Sequence, residues 1–402
     1  MNVLYIAGST PYDSVSHAGG QTLNYYIRNM AKQKDVNVTL VSYCTPEEEE
    51  VARRELPKEI NSHLIVRHKT VLDFVGNIFS INSKFNPWHR YGNMMTTNAA
   101  HILKKELRKI KNTGYSPDIV IMEWTQITVQ VEDIKKIFPY SKYIASEHDV
   151  SYLGARRRAQ NINNKAKAGY EKIKAENLYK RELQALAKCD LVMPHNNKDA
   201  DLVIKDGIES QKVMSLVPYY HRSVQEYCRT NNDIIFFGYM RRDENKMAAK
   251  WFAENVMPRL KDLDVRFVII GGGVSKDIKQ LESDKIKVLG YVPEVDPYFS
   301  GGMCFVAPLI LGAGIKVKIL EAMYSGIPVL TNDIGIEGIE AEDKKDYYHC
   351  VTAEEYEKVI RTIYSTESSV NGKEKIVKEF NLDTFFDQYY QTIKEIWRGK
   401  RA

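Results

Sequence analysis

Two successive series of short apolar runs, each run separated from the next by an amphipathic stretch, constrain this chain more than any other feature. The first series falls at residues 3–8, 38–43, 63–68, 119–124, 143–148, 191–194 and 213–217. The second falls at 234–238, 266–270, 287–292, 303–308 and 328–331. These runs are β-branched and continuously apolar, the pattern of parallel strands covered by helices on both faces. The stretches between them have a helical period: between 246 and 260, Ala249, Phe252, Ala253, Val256 and Leu260 share one face. The alternation predicts an α/β protein with two Rossmann-like, doubly wound domains. A chain of 402 residues suits two such domains better than one core.

The polar, irregular segment 219–232 reads as a linker. It separates an N-terminal domain, 1–218, from a C-terminal domain, 233–381. A last helix, 382–402, carries Phe385, Phe386, Tyr389, Tyr390, Ile393 and Trp397 on a broad apolar side. The apolar run at 3–8 has no basic leader and reads as a buried strand, not a signal peptide. No stretch approaches the roughly 18 apolar residues of a membrane span. Cys44, Cys189, Cys228, Cys304 and Cys350 are scattered without a C-x-x-C pair, which points to a reducing compartment and against a disulfide framework or zinc site. The expected location is cytoplasmic.

The segment 312–330 is the richest in chemistry. The turn Gly312-Ala313-Gly314-Ile315 leads into a helix with Lys316 and Lys318 in its first turn and Glu321 one turn on. Ser325-Gly326 stops the helix, and Pro328-Val329-Leu330 begins a strand. Backbone N–H groups at a helix start, reinforced by lysines, suit a phosphate, and a carboxylate further along accepts hydrogen bonds from a ribose diol. The alternative is an ordinary α/β helix with solvated lysines. This segment resembles the donor-site signature of retaining GT-B glycosyltransferases of family four (glycosyltransferase group one), a glutamate, seven residues, then a second glutamate. Glu321 matches the second, the ribose ligand in that family. Ala313 stands where the first, a donor-sugar contact, belongs.

The resemblance spans nearly the whole chain and implies a GT-B architecture: two Rossmann-like domains facing a cleft, with the last helix returning to the first domain. It implies a nucleotide-diphosphate sugar as co-substrate, no cofactor, no metal and a retaining front-face displacement. Gly19-Gly20, at a helix start after the first strand, matches the glycine pair that faces the diphosphate. His148, in Ser146-Glu147-His148-Asp149, matches the strand-end histidine beside the reacting sugar, and strand pleating turns Glu147 and Asp149 to the opposite side. Tyr239 occupies the place of a diphosphate-binding arginine, so Lys246 is carried over as the diphosphate contact, with Arg241 or Arg242 as substitutes. Gly271-Gly272-Gly273 matches a glycine-rich loop, and Gly290-Tyr291-Val292-Pro293 a base-recognising segment. The expected donor site is thus Gly19, Gly20, Lys246, Gly314, Ile315, Lys316, Lys318 and Glu321, with His148 as the catalytic candidate.

Asp262-Leu263-Asp264 and Asp199-Ala200-Asp201 are the close D-x-D pairs, and both read as surface acids. The expected acceptor is a glycan or lipid-linked glycan, in surface polysaccharide biosynthesis. Residues 71–79 with Phe85, Pro87, Trp88 and Tyr91 are apolar and aromatic. Arg156, Arg157, Arg158, Lys165, Lys167, Lys172, Lys174, Lys180 and Arg181 form a basic tract. Together they suit peripheral attachment to an anionic membrane surface, against the alternative of a core segment and a solvated helix. No nucleic-acid motif accompanies the charge, so nucleic acid is not an expected partner. Two other readings keep the fold: a sugar-nucleotide epimerase, or a catalytically degenerate partner subunit.

Overall fold

The computed structural model describes residues 1–15, 17–67, 86–312, 314–366 and 368–399. The stretch 71–79, Phe85, Ala313 and positions 400–402 of the expected last helix lie outside the described residues, and that helix ends at Trp397. The chain divides into two compact units, Met1–Tyr219 with Leu382–Ala402, and Tyr220–Asn381.

In the first unit, β1 (Asn2–Ala7), β2 (Asn37–Cys44), β3 (Ile60–Val66), β4 (Ile119–Glu123), β5 (Lys142–Glu147) and β6 (Leu191–Pro194) pair in parallel, in the order β3-β2-β1-β4-β5-β6. In the second, β7 (Asp233–Phe237), β8 (Arg266–Ile270), β9 (Ile286–Gly290), β10 (Cys304–Ala307), β11 (Val329–Thr331) and β12 (Tyr348–His349) follow the same plan, in the order β12-β11-β10-β7-β8-β9. Strand order therefore reverses between β1 and β4, and again between β7 and β10. In doubly wound sheets the crevice beyond the carboxyl ends at such a switch point receives the ligand.

Burial explains the continuous apolar runs. Along β1, Val3, Tyr5 and Ala7 enter one core with Leu23, Ile27, Phe386, Tyr389 and Ile393. Leu4 and Ile6 enter another with Leu103, Leu107, Val120 and Met122. Each fully buried aliphatic or phenylalanine side chain contributes about 1.5–3 kcal/mol, so a strand covered on both faces has no place for a polar alternate. The last helix, Leu382–Trp397, closes the first of these cores. Tyr389 packs against Tyr26 with ring centroids 4.9 Å apart and tilted by 56°, and shares a 2.8 Å hydroxyl hydrogen bond with Tyr5.

Three expectations are corrected. The run 213–217 makes a single bridge, Val213 to Val192, instead of a strand. Its neighbour β6 ends at Pro194, which has no N–H to extend a ladder. The helix expected at 246–260 begins earlier and ends earlier, at Asp243–Asn255, and Met257–Leu260 continues as a 3-10 turn because Pro258 cannot donate in an α-helix. The two-residue β12 was not anticipated, being too short to carry a period.

Candidate active site

The second unit gathers its chemistry at the β7/β10 switch point. After β10 the chain turns through Gly312 (φ 128°) and Gly314 (φ 69°), both in the left-handed region, with Ile315 leading into the N-cap residue Lys316. Helix Val317–Ser325 follows, and no side chain caps its first N–H groups. Ile319 N–H donates to the Lys316 carbonyl at 2.7 Å, and a helix start without a side-chain cap directs its N–H donors and a partial positive charge at one place. Gly326 (φ 91°) ends the helix in a left-handed cap.

Three side chains of the helix segment take distinct directions. Lys318 Nζ donates to Asn245 Oδ1 at 2.6 Å and lies 4.9 Å from the Phe236 ring centroid. Burial pushes its amine down to about 7, with Arg242 acting the same way and Glu244 opposing. Lys316 Nζ donates to the Gly314 carbonyl and reaches Glu337 at 3.5 Å. Glu321, 8% exposed, accepts the His221 N–H at 3.2 Å, and burial raises its carboxyl to about 7. His221 is itself tied to Asp296 through Nε2 at 3.0 Å.

The loops leaving β7 and β8 are joined by backbone. Met240 N–H donates to Gly272 C=O at 2.8 Å, and Gly271 N–H to Gly290 C=O at 2.7 Å. Tyr239, at the expected arginine position, lies against Gly272 and Gly273, and Tyr291 stands 77% exposed beside Gly272. Lys246 is directed elsewhere: it pairs with Asp243 at 2.9 Å, and the neighbouring Asn245 is the residue turned to Lys318. Arg242 pairs with Glu244 at 2.6 Å, and Arg241 lies against Gly273.

In the first unit the chemistry stands at β1, β4 and β5. The observed β4 and β5 stop one residue before the expected ends, which leaves Trp124 and His148 just beyond the sheet. His148 Nε2 shares a 2.9 Å hydrogen bond with Glu123, its ring stacks on Trp124 at 4.3 Å and 14°, and His195 lies 4.1 Å away. Burial drives both members of the pair toward their neutral forms, raising Glu123 to about 8 and lowering His148 to about 3. Trp124 has φ 68°, an uncommon conformation for a large residue and one that concentrates at functional sites. A Cβ on Gly19 would lie 3.0 Å from the Trp124 ring and 3.2 Å from His148 Nδ1, a tight fit that would require those rings to give by a few tenths of an ångström. Gly20 N–H donates to His17 Nδ1 at 3.0 Å as the cap of helix Ala18–Ala31. Gly19 and Gly20 therefore already have packing and capping roles.

Glu147 points away from His148, as strand pleating requires. It accepts from Thr125 Oγ1 at 2.6 Å, which also approaches Glu182 at 3.3 Å. Burial and mutual repulsion keep this carboxyl pair largely protonated. Asp149 accepts from Ser151 Oγ at 3.0 Å. Of the two D-x-D pairs, Asp262 is a surface acid held by Arg361, at 2.8 Å through each oxygen. Asp199 is instead fully buried, because it sits in the first turn of helix Asn197–Lys205 and accepts from Asn196 at 2.8 Å. Among the described residues, no three His, Cys, Asp or Glu side chains are grouped to hold a metal ion.

Sequence reasoning missed Glu123, Trp124, His195, His221, Asn245 and Glu337. Glu123-Trp124 alone had a usable signal, a polar and an aromatic residue ending a strand. The others acquire their partners only through strand order.

Residues 231–365 match the family model for Glycosyl transferases group 1. An uncharacterized 44.6 kDa protein in the cps region of Klebsiella pneumoniae is 22% identical over 278 residues, which is 63% of this chain and 70% of that protein. HepE of Anabaena, solved in complex with UDP and glucose, superposes with a TM-score of 0.65 at 11% identity, covering 98% of this chain and 99% of that one. Sucrose-phosphate synthase from Thermosynechococcus elongatus gives a TM-score of 0.72 at 11% identity, covering 99% of this chain and 100% of that one. The fold is that of the GT-B glycosyltransferases.

Proposed function

We propose that this GT-B glycosyltransferase, whose second unit carries the group 1 domain, transfers a sugar from a nucleotide-diphosphate sugar to a glycan or lipid-linked glycan in surface polysaccharide synthesis. The observation that carries the reading is the uncapped helix start at Lys316, with Lys316, Lys318 and Glu321 on one helix segment beyond the β7/β10 switch point. The relative from a cps region and the UDP complex of HepE support the pathway class and a nucleoside diphosphate donor.

Cleavage of the sugar–diphosphate bond leaves an oxocarbenium-like sugar and a diphosphate anion. An exposed helix start stabilises such an anion by about 0.3–1 kcal/mol, and by about 2 kcal/mol when partly buried. One charged donor in a closed site adds on the order of 3 kcal/mol. Lys318, Lys316 and the helix start together supply what a metal ion supplies elsewhere. The new bond forms on the face the leaving group departs from, and the acceptor hydroxyl gives its proton to the departing phosphate oxygen, so configuration is retained. Glu321 binds the ribose diol, and His148, oriented by Glu123, hydrogen-bonds a sugar hydroxyl.

The test is acceptor-dependent sugar transfer, screened over a panel of nucleotide sugars and repeated in excess chelator. Turnover is expected to persist, and turnover that chelator abolishes would overturn the metal-free chemistry. Conversion of the nucleotide sugar without any acceptor would favour an epimerase. Glu321→Ala is expected to weaken nucleoside diphosphate binding at least tenfold, about 1.4 kcal/mol, and unchanged binding removes the ribose assignment.

The acceptor side of the reading includes an anionic membrane surface. Helix Lys165–Leu186 exposes Lys165, Lys167, Lys172, Lys180 and Arg181, whereas Arg156 and Lys174 are paired with Glu176 and Glu171. Trp88 is 67% exposed on a loop tied to that helix by Asn177, which donates to the His89 carbonyl at 2.9 Å. Each cation near such a surface contributes about 1 kcal/mol. Among the described residues no helix is long and apolar enough to cross a membrane. Sedimentation with vesicles containing anionic lipid should capture the protein at low salt and release it as salt rises. Failure to co-sediment at low salt eliminates the membrane surface and leaves the transferase reading intact.

A further inference from the structure

Asn245 has no part in the donor site as the sequence outlines it, yet its buried amide is bonded through both of its ends there. It is 6% exposed. Its Oδ1 accepts from Lys318 Nζ at 2.6 Å, and its Nδ2 donates to the Tyr239 carbonyl at 2.9 Å. These two partners fix the amide's orientation: flipped, it would set oxygen against carbonyl and NH₂ against ammonium. The contact also needs Gly238 at the end of β7, since a Cβ there would lie 2.7 Å from Asn245 Nδ2. The Phe236 ring, its centroid 4.9 Å from Lys318 Nζ, also limits where the lysine can go.

We propose that Asn245 is the positioning residue for Lys318, aiming its ammonium at the helix start where the donor's diphosphate binds. The inference rests on the donor-site reading above. An amide suits the task because it orients the lysine without neutralising it. It accepts one N–H and leaves two for the ligand. A carboxylate at the same place would form a closed ion pair and compete with the phosphate. The ammonium's surroundings work to the same end. Burial and Arg242 disfavour its charge, and Glu244 favours it. An arriving diphosphate anion restores that charge, so binding above neutral pH draws a proton to Lys318.

The experiment uses UDP as probe on the full chain, by titration calorimetry at pH 8 in two buffers of different ionisation enthalpy. At pH 8 Glu321, with its carboxyl near 7, is already mostly ionised and contributes little to the proton count. Wild-type protein is expected to take up close to one proton per UDP, and Lys318→Met to take up none. Asn245→Asp preserves the shape and pre-charges the lysine, so proton uptake should vanish and affinity should fall at least tenfold. Asn245→Ala should lose at least tenfold in affinity while retaining uptake. It also carries the test if the aspartate variant does not fold, as judged by its thermal transition. A residue serving stability alone would shift the transition and leave proton count and affinity unchanged, and that result overturns the inference by itself. Failure of the wild-type protein to bind UDP, GDP or ADP overturns the donor-site reading along with it.

Discussion

Lys318→Ala should lower kcat/KM for the nucleotide sugar ten- to hundredfold, about 1.4–2.7 kcal/mol of transition-state stabilisation. The loss should fall mainly on kcat. Diphosphate charge is greatest as the sugar departs, so an ammonium held 2.6 Å from Asn245 and set at the second helical position matters most then. Lys318→Arg should not restore the rate, because a planar guanidinium cannot take the place of a compact ammonium between Phe236 and Asn245. Steady-state kinetics of the purified variants, with their thermal transitions as control, decide the matter. Wild-type turnover in the alanine variant would remove Lys318 from the mechanism.

Gly271→Ala should be the most disruptive small substitution in the second unit. Gly271 has φ 136°, and a Cβ there would stand 1.9 Å from the Gly238 carbonyl oxygen, a backbone atom that no rotamer change can move. The ends of β7 and β8 would have to separate, breaking the Gly238 N–H to Ile270 C=O hydrogen bond at 3.0 Å. With left-handed strain added, the cost is about 3 kcal/mol or more. That corresponds to a fall in Tm of roughly 6–12 °C for a unit of this size. Gly290→Ala is the comparison. It also has positive φ (72°), but its added methyl would meet only Val274 Cγ2 at 3.9 Å, so it should cost about 1 kcal/mol. Equal Tm shifts in the two variants would show that the close backbone approach is not what demands glycine at 271.

Much of the fold was legible because it is written locally. The run expected at 266–270 is β8 residue for residue, since a strand buried on both faces leaves no room for polar alternation. The misreadings are equally local in cause. Pro194 and Pro258 lack the N–H that a ladder or an α-helix would use, and apolarity alone at 213–217 and 246–260 did not reveal this. The site was legible where one segment holds several of its groups. The turn and helix from 312 to 325 could be read as an anion site from glycines, lysines and a carboxylate at helical spacing. Lys246 illustrates the opposite case. Helix Asp243–Asn255 turns Asn245 toward Lys318 and leaves Lys246 paired with Asp243, and a difference of one position cannot be read without knowing which face is covered.

The sequence by itself determined the two α/β series, the glycine turn that opens helix Val317–Ser325, and Lys316, Lys318 and Glu321 along it. These follow from periodicity and backbone sterics, which act over a few residues. The tertiary structure decided the partners: Glu123 for His148, 25 residues apart; Asn245 for Lys318, 73 apart; and His221 for Glu321, 100 apart. The reason is strand order. Parallel strands need crossover connections, and each reversal, β1 beside β4 in the first unit and β7 beside β10 in the second, brings loops from distant parts of that unit to the switch point of its own sheet. No local pattern encodes that adjacency, because it arises only when each sheet has buried both of its faces.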